Sequence, residues 1–126
     1  MKKNILVLDD DPAVQKKIVV ILEEEGYAAV ASLNFEDALQ KARQTLPDLI
    51  LIDVVMPDIT GFEACRKIKA LFQPHPPWVI LMTGKFDAVD PVLARKMGAD
   101  DFVVKTSDMA VLVQAVRKIL LEGSPS

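Results

Sequence analysis

The stretch "LILIDVVMPDITG" (residues 49–61) decides how the chain is expected to fold, because it places an acid directly after a run of large aliphatic residues. The run from Leu49 to Ile52 is typical of a strand that is covered on both faces. Asp53 then adds a carboxyl group, and an ionised carboxylate sealed in a core is very unfavourable unless it is paired. Asp53 is therefore expected either to reach water or to face a cation.

Four other short apolar runs resemble residues 49–53 in length, and they are "NILVL" (4–8), "YAAVA" (27–31), "WVILM" (78–82) and "FVVK" (102–105). The segments between and after these runs repeat apolar residues at helical spacing, as do Val14, Ile18 and Leu22 in the first of them. Strand and helix alternate five times, and such alternation predicts an α/β domain with parallel strands and helices on both faces.

Helix-end signals support the same reading. Asp11 before Pro12 predicts an N-cap followed by proline at the first helical position. Asn34 can cap the second helix, and Gly26 and Gly98 stand where helices should end. Residues 73–77, "QPHPP", predict a loop before the fourth strand.

Length and composition bound the classes of protein to consider. The chain has 126 residues, which fits one domain, and no stretch is long and apolar enough to span a bilayer. The formal charge of −3 argues against direct nucleic-acid binding. The single cysteine, Cys65, favours a reducing compartment and lies on an apolar helix face, so we expect it in the core. His75, between prolines, is expected to be an exposed loop residue.

Polar residues collect where the predicted strands end, and these residues are Asp9, Asp10, Asp53, Thr83 and Lys105. In open parallel sheets, ligands bind beyond the carboxyl ends of the strands. Two carboxylates about 4 Å apart repel by roughly 4 kcal/mol at an effective dielectric near 20. A hard divalent cation relieves that repulsion, and Mg²⁺ suits a site of carboxylates that also receives phosphate.

Acids, a metal ion, a hydroxyl group and a lysine together predict a phosphoryl-transfer site. Asp53 stands alone at its strand end and is the better candidate nucleophile, which leaves Asp9 and Asp10 as the metal pair. Taken singly, each feature has an ordinary explanation: the "DDD" of residues 9–11 as a solvated turn, Lys105 as a surface lysine. Their shared position at strand ends favours the functional reading.

These segments together make the chain resemble a response-regulator receiver domain of two-component signalling. The resemblance rests on "ILVLDDDP", "LILIDVVMPDITG", "ILMTG" and "GADDFVVK", in that order along nearly the whole chain. It implies the family's flavodoxin-like fold, a five-stranded parallel sheet of order 2-1-3-4-5. It also implies that residues 1–121 form the receiver domain and that residues 122–126 are a frayed tail or the start of a linker.

The resemblance further assigns roles to individual residues. Asp53 is the phosphoacceptor, the Val55 carbonyl joins the three acids on Mg²⁺, and Thr83 and Phe102 are the switch pair. The implied partner is a sensor histidine kinase or phosphotransfer protein, and the implied location of this protein is the cytoplasm. By the same resemblance, the protein is expected to catalyse its own phosphorylation and dephosphorylation but to act mainly as a signalling switch. Phosphorylation changes the surface of the fourth helix, fifth strand and fifth helix, which is also a candidate surface for homodimerisation.

The chain departs from the family pattern at two positions. Thr106 stands where the family usually has proline joined to the lysine by a cis peptide bond. A cis bond before a non-proline residue costs about 2.5–4 kcal/mol. The alternatives are a trans bond with a reshaped loop or a strained cis bond. Phe102 replaces a common tyrosine, which keeps the ring but removes the hydroxyl group. Val55 and Lys85 flank the site where the family tunes dephosphorylation.

Two other functions remain open from the sequence. One is a pseudo-receiver, a binding module that never takes phosphate; the Thr106 substitution leaves it open, whereas the complete set of three acids argues against it. The other is a phosphatase resembling the haloacid-dehalogenase class, in which Asp9 of "ILVLDDDPA" would be the nucleophile. The residues usual after its acids are missing here, and the chain is short for that fold.

Overall fold

The structure, a computed structural model, describes residues 2–84, 91–106 and 108–123. Five strands alternate with five helices as the sequence predicts. The strands are β1 (Asn4–Leu8), β2 (Ala28–Ser32), β3 (Leu49–Asp53), β4 (Trp78–Thr83) and β5 (Asp101–Val104). The helices are α1 (Pro12–Glu24), α2 (Phe35–Thr45), α3 (Gly61–Leu71), α4 (Pro91–Lys96) and α5 (Ala110–Glu122).

The strands form one parallel sheet of order β2-β1-β3-β4-β5, which confirms the predicted order. The register pairs Leu8 with Ile52 and Thr83 with Val104. The carboxyl ends of β1 and β3, and those of β4 and β5, therefore lie side by side. The polar residues that follow these strands must emerge at one edge of the sheet.

Each face of the sheet carries its own hydrophobic core, because successive strand residues point to opposite faces. Leu6 and Leu8 pack in one core with residues of α2, α3 and α4. Ile5 and Val7 pack in the other with residues of α1 and α5. Fully burying one Leu or Ile side chain stabilises the fold by about 1.5–3 kcal/mol, so the two cores hold the sheet rigidly between its helix layers.

The predicted helix ends are also found. The Asp11 side chain accepts hydrogen bonds from the N–H groups of Ala13 and Val14, and Asn34 accepts one from Asp37. Gly26 and Gly98 have φ angles of 96° and 95°, which only glycine adopts readily. Capping by Asp11 fixes the direction in which the chain leaves the acid pair.

Small differences from the expected elements concern their ends. β2 begins at Ala28 because the Tyr27 N–H group still donates to the Leu22 carbonyl at the end of α1. β5 ends at Val104, so Lys105 lies just beyond the strand. Lys85, which the sequence analysis placed beside the site, lies outside the described residues, as does the tail after residue 123.

Three minor expectations can be compared directly with the structure. Cys65 is fully buried in the core and His75 is exposed in the loop before β4, as predicted. Within the residues that the structure describes, no helix combines the length and apolar character needed to cross a bilayer.

Candidate functional site

The strand ends bring three carboxyl groups together, those of Asp9, Asp10 and Asp53. Asp9 follows β1 and Asp53 ends β3, and these strands are neighbours. One oxygen of each acid lies within 4.8 Å of the other two. Asp9 is fully buried and Asp53 is 6% exposed, whereas Asp10 is exposed. We call these three residues the acid cluster.

Lys105 is the cation beside Asp53, one of the two surroundings that the sequence led us to expect for this acid. Its Nζ atom lies 3.1 Å from Asp9 Oδ2 and 3.6 Å from Asp53 Oδ1. The lysine side chain is only 15% exposed. Asp53 therefore does not escape to water; it remains in a mostly buried site beside a positive charge.

The charges of the cluster are not balanced, because three carboxyl groups face one ammonium group. Burial and, after it, the negative charge of Asp9 raise the pKa of Asp53 to about 6, even though the positive charge of Lys105 acts in the opposite direction. Burial alone would lower the pKa of Lys105, but Asp9 and Asp53 outweigh it and hold that pKa above its usual value. A cluster with this surplus of oxygen donors suits a hard divalent cation such as Mg²⁺.

The backbone after Asp53 is held close to the acid by a glycine that the sequence analysis overlooked. A Cβ atom at Gly61 would lie 2.5 Å from the Asp53 carbonyl oxygen and 2.7 Å from the Cα of Val54. The Gly61 N–H group also donates to the Val54 carbonyl at 2.9 Å. The detectable signal was a glycine at the start of a helix, where it is otherwise a poor residue.

A second overlooked residue, Asp58, ties the same loop to α2. Its Oδ2 atom accepts a hydrogen bond from the Phe35 N–H group, 3.1 Å away, at the first residue of that helix. The Val55 N–H group lies 3.4 Å from Asp53 Oδ1, and the Val55 side chain is exposed. The loop that carries Val55 is thus fixed at Asp58 and at Gly61.

Thr83 and Phe102 stand on the adjacent strands. Thr83 ends β4 and is 2% exposed, and its carbonyl accepts the Lys105 N–H group at 2.8 Å. Phe102 is partly buried and packs against the core formed with α2, α3 and α4. The backbone bond between Thr83 and Lys105 fixes the starting point of the lysine side chain.

Among the described residues the cis peptide bond is Gln73–Pro74, so Lys105–Thr106 is trans. The Thr106 hydroxyl donates to Asp108 Oδ1 at 3.0 Å, and the Ala110 N–H group donates to the same oxygen at 3.1 Å. Buried Met109 adopts a left-handed conformation with φ of 59°. A reshaped loop therefore replaces the proline turn, and Lys105 still reaches Asp9 and Asp53.

A cavity of about 600 Å³ lies at the opposite edge of the sheet, where the strands begin. Lys3, Asp48, Phe72 and Trp78 are among the residues that line it. None of the three acids of the cluster borders this cavity. Among the described residues, the three acids on which the predicted chemistry depends lie at the carboxyl edge, away from this cavity.

Comparison with known proteins agrees with this geometry. Residues 5–117 match the model of the response regulator receiver domain family. The chain is 36% identical over 120 residues to the transcriptional regulatory protein AfsQ1 of Streptomyces coelicolor, covering 95% of this chain and 52% of that protein. The chain thus spans about half the length of the curated relatives it matches.

Two solved structures extend the comparison. A LuxR-family two-component response regulator from Aurantimonas matches with a TM-score of 0.85 and 30% identity, over 99% of this chain and 89% of that one. The response regulator TrrA of Thermotoga maritima, in complex with Mg²⁺–BeF, matches with a TM-score of 0.81 and 32% identity, over 93% of this chain and 98% of that one. The fold, the order of its motifs and these relatives lead to one conclusion: the chain belongs to the response regulator receiver domain family.

Proposed function

We propose that the chain accepts a phosphoryl group on Asp53 from the phosphohistidine of a histidine kinase or phosphotransfer protein, and so acts in phosphorelay signalling. The observation that carries the proposal is the convergence of three carboxyl groups and Lys105 at the ends of β1, β3 and β5. Residues 1–121 form the receiver unit in this proposal, and the match over residues 5–117 supports those limits. The resemblance to the family further implies a cytoplasmic location.

The acid cluster has the donor set for Mg²⁺, with Asp9, Asp10, Asp53 and the Val55 carbonyl as ligands. When bound, the ion neutralises charge on the transferred phosphoryl group. An Asp53 carboxylate oxygen attacks phosphorus, the bond from phosphorus to the histidine nitrogen breaks, and its electron pair stays on the imidazole. Lys105 neutralises part of the negative charge that gathers at this edge. Water later hydrolyses the aspartyl phosphate, which resets the protein.

In this proposal, phosphorylation is signalled to partners by a change in the surface of the protein. The Thr83 hydroxyl contacts the phosphoryl group, and Phe102 moves to fill the space that Thr83 leaves. The surface of α4, β5 and α5 then shifts between two packings, which phosphate must favour differently by a few kcal/mol to matter. That surface exposes apolar side chains, including Val92, Val104 and Val111, which supports a role in contacts with partners or with a second copy.

The reshaped loop at Thr106 bears on the pseudo-receiver alternative. A binding module without phosphotransfer would have no need to hold the lysine on the acids. Lys105 nevertheless lies 3.1 Å from Asp9 and 3.6 Å from Asp53 without the proline turn. This geometry favours phosphotransfer over the pseudo-receiver.

The decisive experiment exposes the protein to a radiolabelled small acyl phosphate with Mg²⁺ and measures covalent label. We expect one phosphoryl group per chain, which a chelator prevents. Asp53→Asn should abolish labelling because the nucleophile is removed. Asp58→Asn is the matched control, since it leaves an oxygen that can accept the Phe35 N–H group.

The same labelling experiment separates the alternatives. Label that persists in Asp53→Asn but disappears in Asp9→Asn would favour the dehalogenase-like reaction. A wild-type chain that takes no label from an acyl phosphate or from a panel of phosphorylated kinases would instead behave as a pseudo-receiver.

A further inference from the structure

Gln15 is a polar residue on the buried face of α1. It lies three residues before Ile18 and seven before Leu22, and all three side chains are buried. A buried amide is unfavourable unless its donors and acceptor find partners. An uncharged polar residue in line with two core residues was therefore a signal in the sequence that this side chain has a specific contact.

The contacts of Gln15 lie next to the acid cluster. Its Nε2 atom donates to the Ser32 carbonyl at 2.5 Å and lies 3.4 Å from the Asp9 carbonyl. The Asp9 N–H group donates to the same Ser32 carbonyl at 3.2 Å. Both neighbours of Nε2 are acceptors, so the amide must present its two hydrogens to them. These bonds close a ring that joins α1 to the ends of β1 and β2.

The Asp9 carbonyl belongs to the peptide unit that connects Asp9 with Asp10. Because a peptide unit is planar, holding its oxygen also fixes the direction in which Asp10 leaves the strand. The Asp9 carboxyl group is already held by Lys105 and by the Asp11 N–H group. The exposed Asp10 depends on its backbone for position.

We propose that Gln15 is a positioning residue for the divalent-cation site: it fixes the Asp9–Asp10 peptide so that both carboxylates stay within reach of one ion. The inference rests on the proposed function, which supplies the ion. Gln15 contacts neither the ion nor the phosphoryl group, and it acts through the backbone of the two acids. Groups that hold metal ligands in this way typically change metal affinity by about 10–100-fold when removed.

The test compares Gln15→Met with Ile18→Val. Methionine keeps an unbranched chain of similar length but removes both donors. Calorimetric titration with Mg²⁺ should give a dissociation constant raised by about tenfold in Gln15→Met. The Mg²⁺ concentration for half-maximal labelling by an acyl phosphate should rise by the same factor, while the rate at saturating Mg²⁺ stays near the wild-type value. Ile18→Val loosens the same helix face by removing a methylene group, and it should leave the Mg²⁺ affinity unchanged.

A second measurement needs no variant. In a ¹⁵N–¹H spectrum of the wild-type protein, the Gln15 side-chain amide should exchange slowly with solvent and shift on addition of Mg²⁺. The side-chain amide of exposed Gln114 should do neither. This comparison remains informative even if Gln15→Met fails to fold.

Four results would overturn the inference. An unchanged Mg²⁺ affinity in Gln15→Met, with only its melting temperature lowered, would leave Gln15 as a purely structural residue. Equal loss of affinity in Ile18→Val would attribute the effect to helix packing. A Gln15 amide that exchanges as fast as that of Gln114 would remove the hydrogen-bonded ring. Absence of Mg²⁺ binding by the wild-type chain would instead remove the cation site itself, and this inference with it.

Discussion

The two edges of the sheet hold their carboxyl groups in opposite ways. At the edge where β4 and β5 begin, Asp100 has a cation of its own: Lys69 Nζ lies 2.6 Å away, and the Val79 N–H group donates to the same oxygen at 2.8 Å. At the carboxyl edge, Asp9 and Asp53 share Lys105, and Asp10 adds a third carboxyl group to the same cluster. The first arrangement is internally satisfied, whereas the second is left short of positive charge.

The difference teaches how one small fold divides its polar residues between stability and function. Lys69 also donates to the Pro77 carbonyl, so it joins α3 to the segments that precede β4 and β5. Its removal should weaken the fold. Neutralising Asp53 in the acid cluster should relieve repulsion and strengthen the fold, because burial and the charge of Asp9 disfavour its ionised form.

The largest expected effect is at the paired edge. Lys69→Met should lower the free energy of unfolding by about 3 kcal/mol, because it leaves the largely buried Asp100 without its cation. Urea denaturation would measure the change. Arg66→Met is the matched control on the same helix: its pair with Glu63 is exposed to solvent, so losing it should change the free energy of unfolding far less. Equal losses in the two variants would contradict the special role of Lys69.

A substitution in the acid cluster should have the opposite effect and raise the free energy of unfolding. Without Mg²⁺ at pH 7.5, Asp53→Asn should raise the free energy of unfolding by about 2 kcal/mol. The Asp53 pKa of about 6, against an ordinary value of 3.8, corresponds to a penalty of at most about 3 kcal/mol for the ionised group. Because the folded pKa is the higher one, the penalty is absent below pH 3.8, grows between 3.8 and 6, and is complete above about pH 6.

Urea denaturation of both chains across this pH range would therefore show a stability difference that widens as pH rises. Asp48→Asn is the control at the other edge, where Asp48 Oδ2 accepts the Asn4 N–H group at 2.8 Å. Asp48→Asn should not raise the free energy of unfolding. A difference between wild type and Asp53→Asn that does not change with pH would refute the assigned cause.

Mg²⁺ should stabilise the protein by binding at the carboxyl edge of the sheet, where the acid cluster lies. At ten times its dissociation constant it should stabilise the wild-type chain by about 1.4 kcal/mol, because it binds the folded acid cluster. The stabilisation should be smaller at pH 5 than at pH 7.5, since a proton on Asp53 competes with the ion. Thermal melting with and without Mg²⁺ measures the effect, and Asp53→Asn should show less of it. An unchanged melting temperature in the wild type would count against the site.

The smallest expected effect concerns the loop that replaces the proline turn. Asp108→Ala removes the acceptor shared by the Thr106 hydroxyl and the Ala110 N–H group. The free energy of unfolding should fall slightly, because Asp108 accepts a hydrogen bond from an N–H group at the start of α5 but is exposed to solvent. Labelling with acyl phosphate should stay close to wild type, because the Lys105 backbone is held separately by Thr83. A large loss of labelling would mean that the loop, rather than β4, positions Lys105.

Much of the fold could be predicted because its signals are local. The apolar runs predicted both ends of β1 and β3 correctly. Asp11 and Asn34 cap α1 and α2, as expected. The predicted position of β2 was off by one residue, because the Tyr27 N–H group donates to the Leu22 carbonyl at the end of α1. Strand propensity does not reveal that hydrogen bond.

The site was predictable only in part. Strand ends identified the acids and Lys105, but not the hydrogen bonds and close contacts that hold them. Asp58 and Gln15 contact backbone atoms 23 and 17 residues away in the sequence, and Gly61 lies against the backbone of Asp53 and Val54. No local pattern specifies those partners.

The sequence by itself determined the alternation of strands and helices, the acids at the strand ends and the family, because each depends on residue order and periodicity. Tertiary structure decided the rest. It brought the Nζ atom of Lys105 within 3.1 Å of Asp9, which lies 96 residues away in the sequence. It also made the Lys105–Thr106 peptide bond trans and left the acid cluster short of positive charge. The physical reason is that charge balance and pKa depend on distance and burial, and these exist only once the sheet has assembled.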